Sequence, residues 1–136
     1  LVEYTKTHYF DPGEIVMNEG DPNDSLFLIQ KGSVDIVRVQ GDTEMLLAQI
    51  PASGFFGETS IFSNSQASAT VRVAPGQQAC ILRIKHEDLL RFIHERPEAG
   101  TKILLAILEA ACQRLAKANV KLGDFLYWFH INEQKQ

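Results

Sequence analysis

The chain has 136 residues, 45% of them apolar and 22% charged, a balance ordinary for one globular domain. A chain of this length buries about two thirds of the surface its unfolded form exposes, so a core can form without staples. Thirteen basic residues against seventeen acidic ones leave a net charge of −4, which excludes holding DNA or RNA by counterion release through this domain alone.

Strand-like runs occupy residues 7–84. The first, at 7–10, ends at the turn Asp11-Pro12-Gly13 and is followed by residues 15–17. The turn-rich stretch Glu19-Gly20-Asp21-Pro22-Asn23-Asp24 leads into an apolar run at 26–29. Gly32 interrupts that run, and residues 34–39 continue it. Gln40-Gly41-Asp42-Thr43 has the composition of a hairpin tip, after which residues 45–50 return. Residues 70–73 and 78–84 complete the set. In the last run Cys80, Leu82 and Ile84 share one face, with Ile81 and Arg83 on the other. Short strands at this spacing predict a sandwich, barrel or jelly roll.

From Lys85 the period becomes helical. Leu89, Leu90 and Ile93 mark a short amphipathic helix that stops near Arg96. Pro97 suits the first turn of another helix, where its missing N–H would be unpaired in any case. This second helix is long. Leu104, Leu108, Ala111, Leu115, Ala118, Leu122, Phe125 and Phe129 recur by alternating steps of four and three, a heptad seam. Ile103, Leu105, Ile107 and Ala110 make its first half apolar on nearly every side, and a helix apolar all round is buried all round. The expectation is that one side covers the strands. The other pairs with a second copy along Leu104, Leu108, Ala111, Leu115, Ala118 and Leu122. Tyr127-Trp128-Phe129 points to a contact with a partner or a further domain.

No secretory signal is visible, and the longest apolar run, at 103–108, is far too short for a bilayer span. Cys80 and Cys112 have neither metal nor framework spacing and read as two reduced, buried thiols of a cytoplasmic protein. The chain starts at Leu1 rather than Met, directly ahead of strand-like sequence, which points to further sequence upstream. His8, His86, His94 and His130 are scattered, so a metal site is not expected. No nucleophile–base pair stands in a motif context, and no catalysis is expected.

The most chemically suggestive stretch is Phe55-Phe56-Gly57-Glu58, followed nine residues later by Ala67-Ser68-Ala69-Thr70-Val71. A carboxylate is an acceptor only, and a Gly-led turn exposes N–H donors. Small residues at 68–70 would let a second wall come close. The bland alternative is that Glu58 is a solvated residue at a strand end.

This constellation resembles the phosphate-binding cassette of the cyclic nucleotide-binding domain family. Gly13-Glu14-Ile15 with Glu19-Gly20-Asp21, Lys31-Gly32-Ser33-Val34, and Arg114-Leu115 with Lys121-Leu122-Gly123-Asp124 are similar to family segments in the same order. The resemblance implies a mainly β fold with helices. Its centre is a double-stranded β-helix, or jelly roll, of about eight strands, flanked by helices and closed by a long C-terminal dimerisation helix. Residues 1–96 would form the roll with its short helix, and residues 97–130 the long helix of the same domain. The implied ligand site comprises Phe56, Gly57, Glu58, Thr59 and Ser60, facing Ala67, Ser68, Ala69 and Thr70. Gly57 would let backbone N–H groups approach a phosphate, Glu58 would accept from a ribose 2′-hydroxyl, and Asn119 would offer a polar group to the base. The chain departs from the family at one position. The family's phosphate-binding arginine is replaced by Ala67, or by Ser68 in a register one residue longer. Arg72 lies on the strand beyond the turn, and Ser63-Asn64-Ser65-Gln66 carries no charge to replace it.

The resulting reading is a cytoplasmic, homodimeric, ligand-sensing regulatory module. Cyclic AMP or cyclic GMP is its candidate ligand, no other cofactor is expected, and an output domain or protein lies downstream. It engages neither a membrane nor, by this domain alone, nucleic acid. Two other readings stay open. One is a non-binding structural module with a degenerate pocket. The other is the effector domain of a transcription regulator cut before its helix-turn-helix, since residues 131–136 are polar and charged.

Overall fold

Runs of alternating apolar residues, punctuated by Gly, Pro and Asp turns, build eight strands in a computed structural model. The structure describes residues 4–62 and 66–134, apart from the side chains at 61, 62, 118, 121, 122, 125, 128, 129 and 131–134. Ser63, Asn64 and Ser65 of the uncharged loop lie outside the described residues. So do the side chains of Ala118, Leu122, Phe125 and Phe129 of the heptad seam.

The strands are β1 (Lys6–Phe10), β2 (Ile15–Met17), β3 (Ser25–Lys31), β4 (Ser33–Gln40), β5 (Thr43–Pro51), β6 (Phe55–Phe56), β7 (Thr70–Val73) and β8 (Ala79–Lys85). They form two antiparallel four-stranded sheets, ordered β1-β8-β3-β6 and β2-β7-β4-β5. This is the expected jelly roll. The sequence reading placed seven of the strands and did not separate the two-residue β6. It also read a turn where the short helix α1 (Glu58–Phe62) forms. Helix α2 (His86–Glu95) follows β8, and α3 (Pro97–Gln134) follows α2.

The inner faces of the two sheets meet in one core. Phe27 and Ile29 of β3, Phe56 of β6 and Ile81 of β8 pack with Val34, Ile50, Val71 and Val73 of the other sheet. Phe27 and Phe56 are register partners whose rings stack, with centroids 4.8 Å apart. Burying each such side chain is worth about 1.5–3 kcal/mol. The outer face of β8 is covered as well. Helix α2 packs on β8 and buries its Leu89 and Phe92, while Leu26 and Ile84 are buried cross-strand partners on that outer face. Both faces of β8 are therefore apolar, which is why Cys80, Ile81 and Ile84 are all buried.

A β-bulge sets the direction of side chains in the second sheet. Ile36 pairs with Ala48 and Val37 with Leu46, so Leu47 is the extra residue and β4 itself runs unbroken. Val34 and Ile36 join the core from β4. The period-2 alternation of a strand places Arg38 on the same, inner face.

The chain divides into two compact units, residues 1–95 and 96–136. The second contains α3. Its first turn is closed by the Gly100 N–H donating to the Arg96 carbonyl at 2.8 Å and the Thr101 hydroxyl donating to the Pro97 carbonyl at 2.7 Å. Ile107 is buried, but Leu104, Leu105, Leu108 and Leu115 are exposed, so the all-round apolar surface is not covered all round within one chain. The same fact corrects the reading of the cysteines. Cys80 is buried on β8, but Cys112 is exposed on α3, because that helix presents its flank to solvent.

Candidate functional site

The site is built where β6 ends. Phe56 is fixed in the core by its stack on Phe27. The next residue, Gly57, takes φ +94°, a left-handed conformation that glycine tolerates without a steric penalty. A Cβ there would lie 2.6 Å from the Ser25 carbonyl oxygen and 3.3 Å from the Phe27 ring. The turn is therefore pressed against β3 at atomic contact, and Glu58 opens α1 directly from it.

Asn23 holds this contact from below. Its Nδ2 donates to the Ser25 carbonyl at 2.9 Å and, at the long limit of 3.5 Å, to the Gly57 carbonyl, while its Oδ1 accepts from the Ser25 N–H. Arg83 of β8 completes the support. Its Nε donates to Ser25 Oγ at 2.7 Å and its Nη2 to Asp24 Oδ1 at 2.9 Å, and the Ser25 hydroxyl donates to the same carboxylate. The Ser25 hydrogen bond, joined by Arg83, holds the Asp24 carboxyl below its usual range against a smaller opposing effect of burial.

The second wall, residues 66–70, is fixed by backbone bonds to the turn after β2. The Gly20 N–H donates to the Ala67 carbonyl, and the Ala67 N–H donates to the Asp21 carbonyl, both at 2.8 Å. Ser60 Oγ donates to the Gln66 carbonyl at 3.0 Å and links α1 to this wall. Thr70 Oγ1 accepts from the Glu19 N–H at 3.0 Å. Ala67 and Ala69 are buried, as is Ser60. Ser68 and Thr59 are exposed, and Glu58 and Thr70 are half-buried. Phe56, Gly57, Glu58, Thr59 and Ser60 thus form one wall, with Ser60 bonded across to Gln66 at the start of the wall that continues through Ala67, Ser68, Ala69 and Thr70. Asn119 is an exposed position of α3, in the other unit.

Three arginines lie on the roll around these walls. Arg72 is bound to Glu44 on the outer face of its sheet, and the Glu44 hydrogen bond raises its pKa above the ordinary value. Arg83 is tied to Ser25 and Asp24. Arg38 reaches the second wall itself, its Nη2 donating to the Ser68 carbonyl at 2.9 Å. Its Nε lies 3.2 Å from Glu19 Oε1, in ion-pair range but off the line of a hydrogen bond. The sequence reading missed Asn23, Arg38 and Arg83 as parts of the site. Each acts across 30 or more residues of chain, and no local motif announces it. Among the described residues no group of His, Cys, Asp and Glu gathers that could hold a metal ion. No helix there is long and apolar enough to cross a membrane.

Comparison with known proteins gives this geometry its context. The family model described as cyclic nucleotide-binding domain matches residues 7–96. The chain is 30% identical over 119 residues to a CRP-like cAMP-activated global transcriptional regulator of Mycobacterium tuberculosis, covering 87% of this chain and 50% of that protein. It is 29% identical over 129 residues to the potassium channel SKOR of Arabidopsis thaliana, covering 93% of this chain and 15% of the channel. The chain therefore spans half the length of the first relative and a small part of the second. Among solved structures it superposes on the catabolite activator protein of Thermus thermophilus with a TM-score of 0.70 and 26% identity, over 89% of this chain and 55% of that one.

Proposed function

The chain belongs to the cyclic nucleotide-binding domain family, and we propose that it is a regulatory, non-catalytic module that senses a phosphate-bearing cyclic nucleotide between the two walls of its roll. The observation that carries this reading is the left-handed turn at Gly57, from which Glu58 opens α1 and Ser60 bonds to the second wall, a wall of small residues. Cyclic AMP and cyclic GMP are the candidate ligands. Gly57 would let the backbone meet the phosphate, Glu58 would accept from the ribose hydroxyl, and Asn119 would approach the base. Named relatives that are a regulator and a channel support a switching role, with an output domain or protein downstream. In this reading two copies pair through α3 in the cytoplasm, and residues 1–96 and 97–130 act as roll and dimer helix of one domain.

Calorimetry with cyclic AMP and cyclic GMP tests the reading. Weak binding by the wild type is expected, because a buried phosphate is best compensated by a bidentate guanidinium and none stands at Ala67 or Ser68. A charge-assisted hydrogen bond is worth about 1.5–3 kcal/mol. Ala67→Arg, or Ser68→Arg in the longer register, should therefore tighten binding about ten- to a hundredfold. Glu58→Ala in that background should weaken it again. Folded variants that gain nothing would favour the second reading, a structural module. That alternative draws support from Ala67, which is buried with both backbone groups already bonded.

A further inference from the structure

We propose that Arg38 of β4 supplies the positive charge that the ligand's phosphate requires. The inference rests on the reading of these walls as a cyclic nucleotide site and names the residue that completes it. Arg38 starts from the core-facing side of its strand and ends at the second wall, one hydrogen bond from the Ser68 carbonyl. Three segments converge there: β4 through Arg38, the turn after β2 through Glu19, and the wall through Ser68 and Thr70.

The other two arginines on the strands have partners elsewhere. Arg72 lies on the outer face against Glu44, and Arg83 is oriented away from the second wall, toward Ser25 and Asp24 under the Gly57 turn. A guanidinium carries five N–H donors. Arg38 spends one on Ser68, and its Nε faces Glu19 without the alignment of a hydrogen bond. It therefore has donors left for an anion, and its own carboxylate neighbour would compete with that anion. Glu19 becomes an internal competitor that holds Arg38 in place while the site is empty and lowers the affinity for phosphate. A cation 30 residues from the wall in sequence thus takes over the task of the arginine that the wall lacks.

The two acidic–basic partners make opposite predictions, and this separates ligand binding from scaffolding. Calorimetry with cyclic AMP at low salt should find binding by Arg38→Gln about ten- to a hundredfold weaker than by the wild type. Glu19→Gln should bind severalfold tighter, because it frees the guanidinium. The wild-type affinity should fall as salt is added, and that of Arg38→Gln should fall less steeply. If Arg38 and Glu19 merely clamp the wall, both substitutions loosen it and both weaken binding. A loss of affinity in Glu19→Gln, or unchanged affinity in a folded Arg38→Gln, therefore overturns the proposal. Should Arg38→Gln fail to fold, the sign of the Glu19→Gln effect decides alone. If the wild type binds no cyclic AMP while Ala67→Arg or Ser68→Arg does, Arg38 is not the compensating charge but the nucleotide reading stands. If none of them binds, both fall.

Discussion

Gly57 is the residue on which the first wall depends. Its left-handed φ and the 2.6 Å approach of a would-be Cβ to the Ser25 carbonyl are independent demands for glycine. Gly57→Ala should cost roughly 2–4 kcal/mol, from backbone strain plus overpacking against backbone that cannot yield. Denaturant unfolding measures this, and a change below about 1 kcal/mol would show that the turn relaxes freely. Asp24 sets a pH dependence beside it. Its folded carboxyl titrates below the ordinary range, so its contribution is present above the unfolded pKa and is lost as pH falls through the lower folded one. The side chain is 64% exposed, so the effect on stability is small. The clearer readout is the carboxyl titration by NMR, which should move up toward the ordinary aspartate range in Ser25→Ala and by less in Arg83→Gln.

Among the elements, α3 makes the strongest demand for a partner. Leu104, Leu108 and Leu115 recur at heptad spacing and are 37%, 59% and 63% exposed in a single chain. We expect a homodimer along this seam. Leu115→Glu would place an unpaired charge in it, at a cost of about 3–5 kcal/mol, and should convert dimer to monomer by sedimentation. A wild-type monomer at micromolar concentration would show that the leucines serve something else. The length of α3 was legible because the seam repeats over many turns. The strands were legible because turn residues bracket them and their apolar residues cluster. The elements β6 and α1 were not, since two and five residues carry no measurable period. The first wall was legible through Gly57 and Glu58, whose chemistry is local. Arg38 was not, because its arrival at Ser68 depends on sheet register and on a bulge at Leu47 that no residue type announces.

At the scale of the whole molecule, two sheets cross-connect distant parts of the chain. β1 pairs with β8, joining Lys6 to Arg83, and β2 pairs with β7, joining Ile15 to Arg72. Among the described residues only β4 and β5 meet across a short connection, of Gly41 and Asp42. Proteins dominated by such non-local pairings fold in milliseconds to seconds, because loop-closure entropy must be overcome before the contacts form. During synthesis neither sheet can close until its late strand has left the ribosome. The β4–β5 hairpin is the piece able to form early, and β1 must wait, unpaired, for β8 to be made. The first strand of the roll, held open for that long, is the part of these sheets most exposed to the wrong neighbour on the way to the native state.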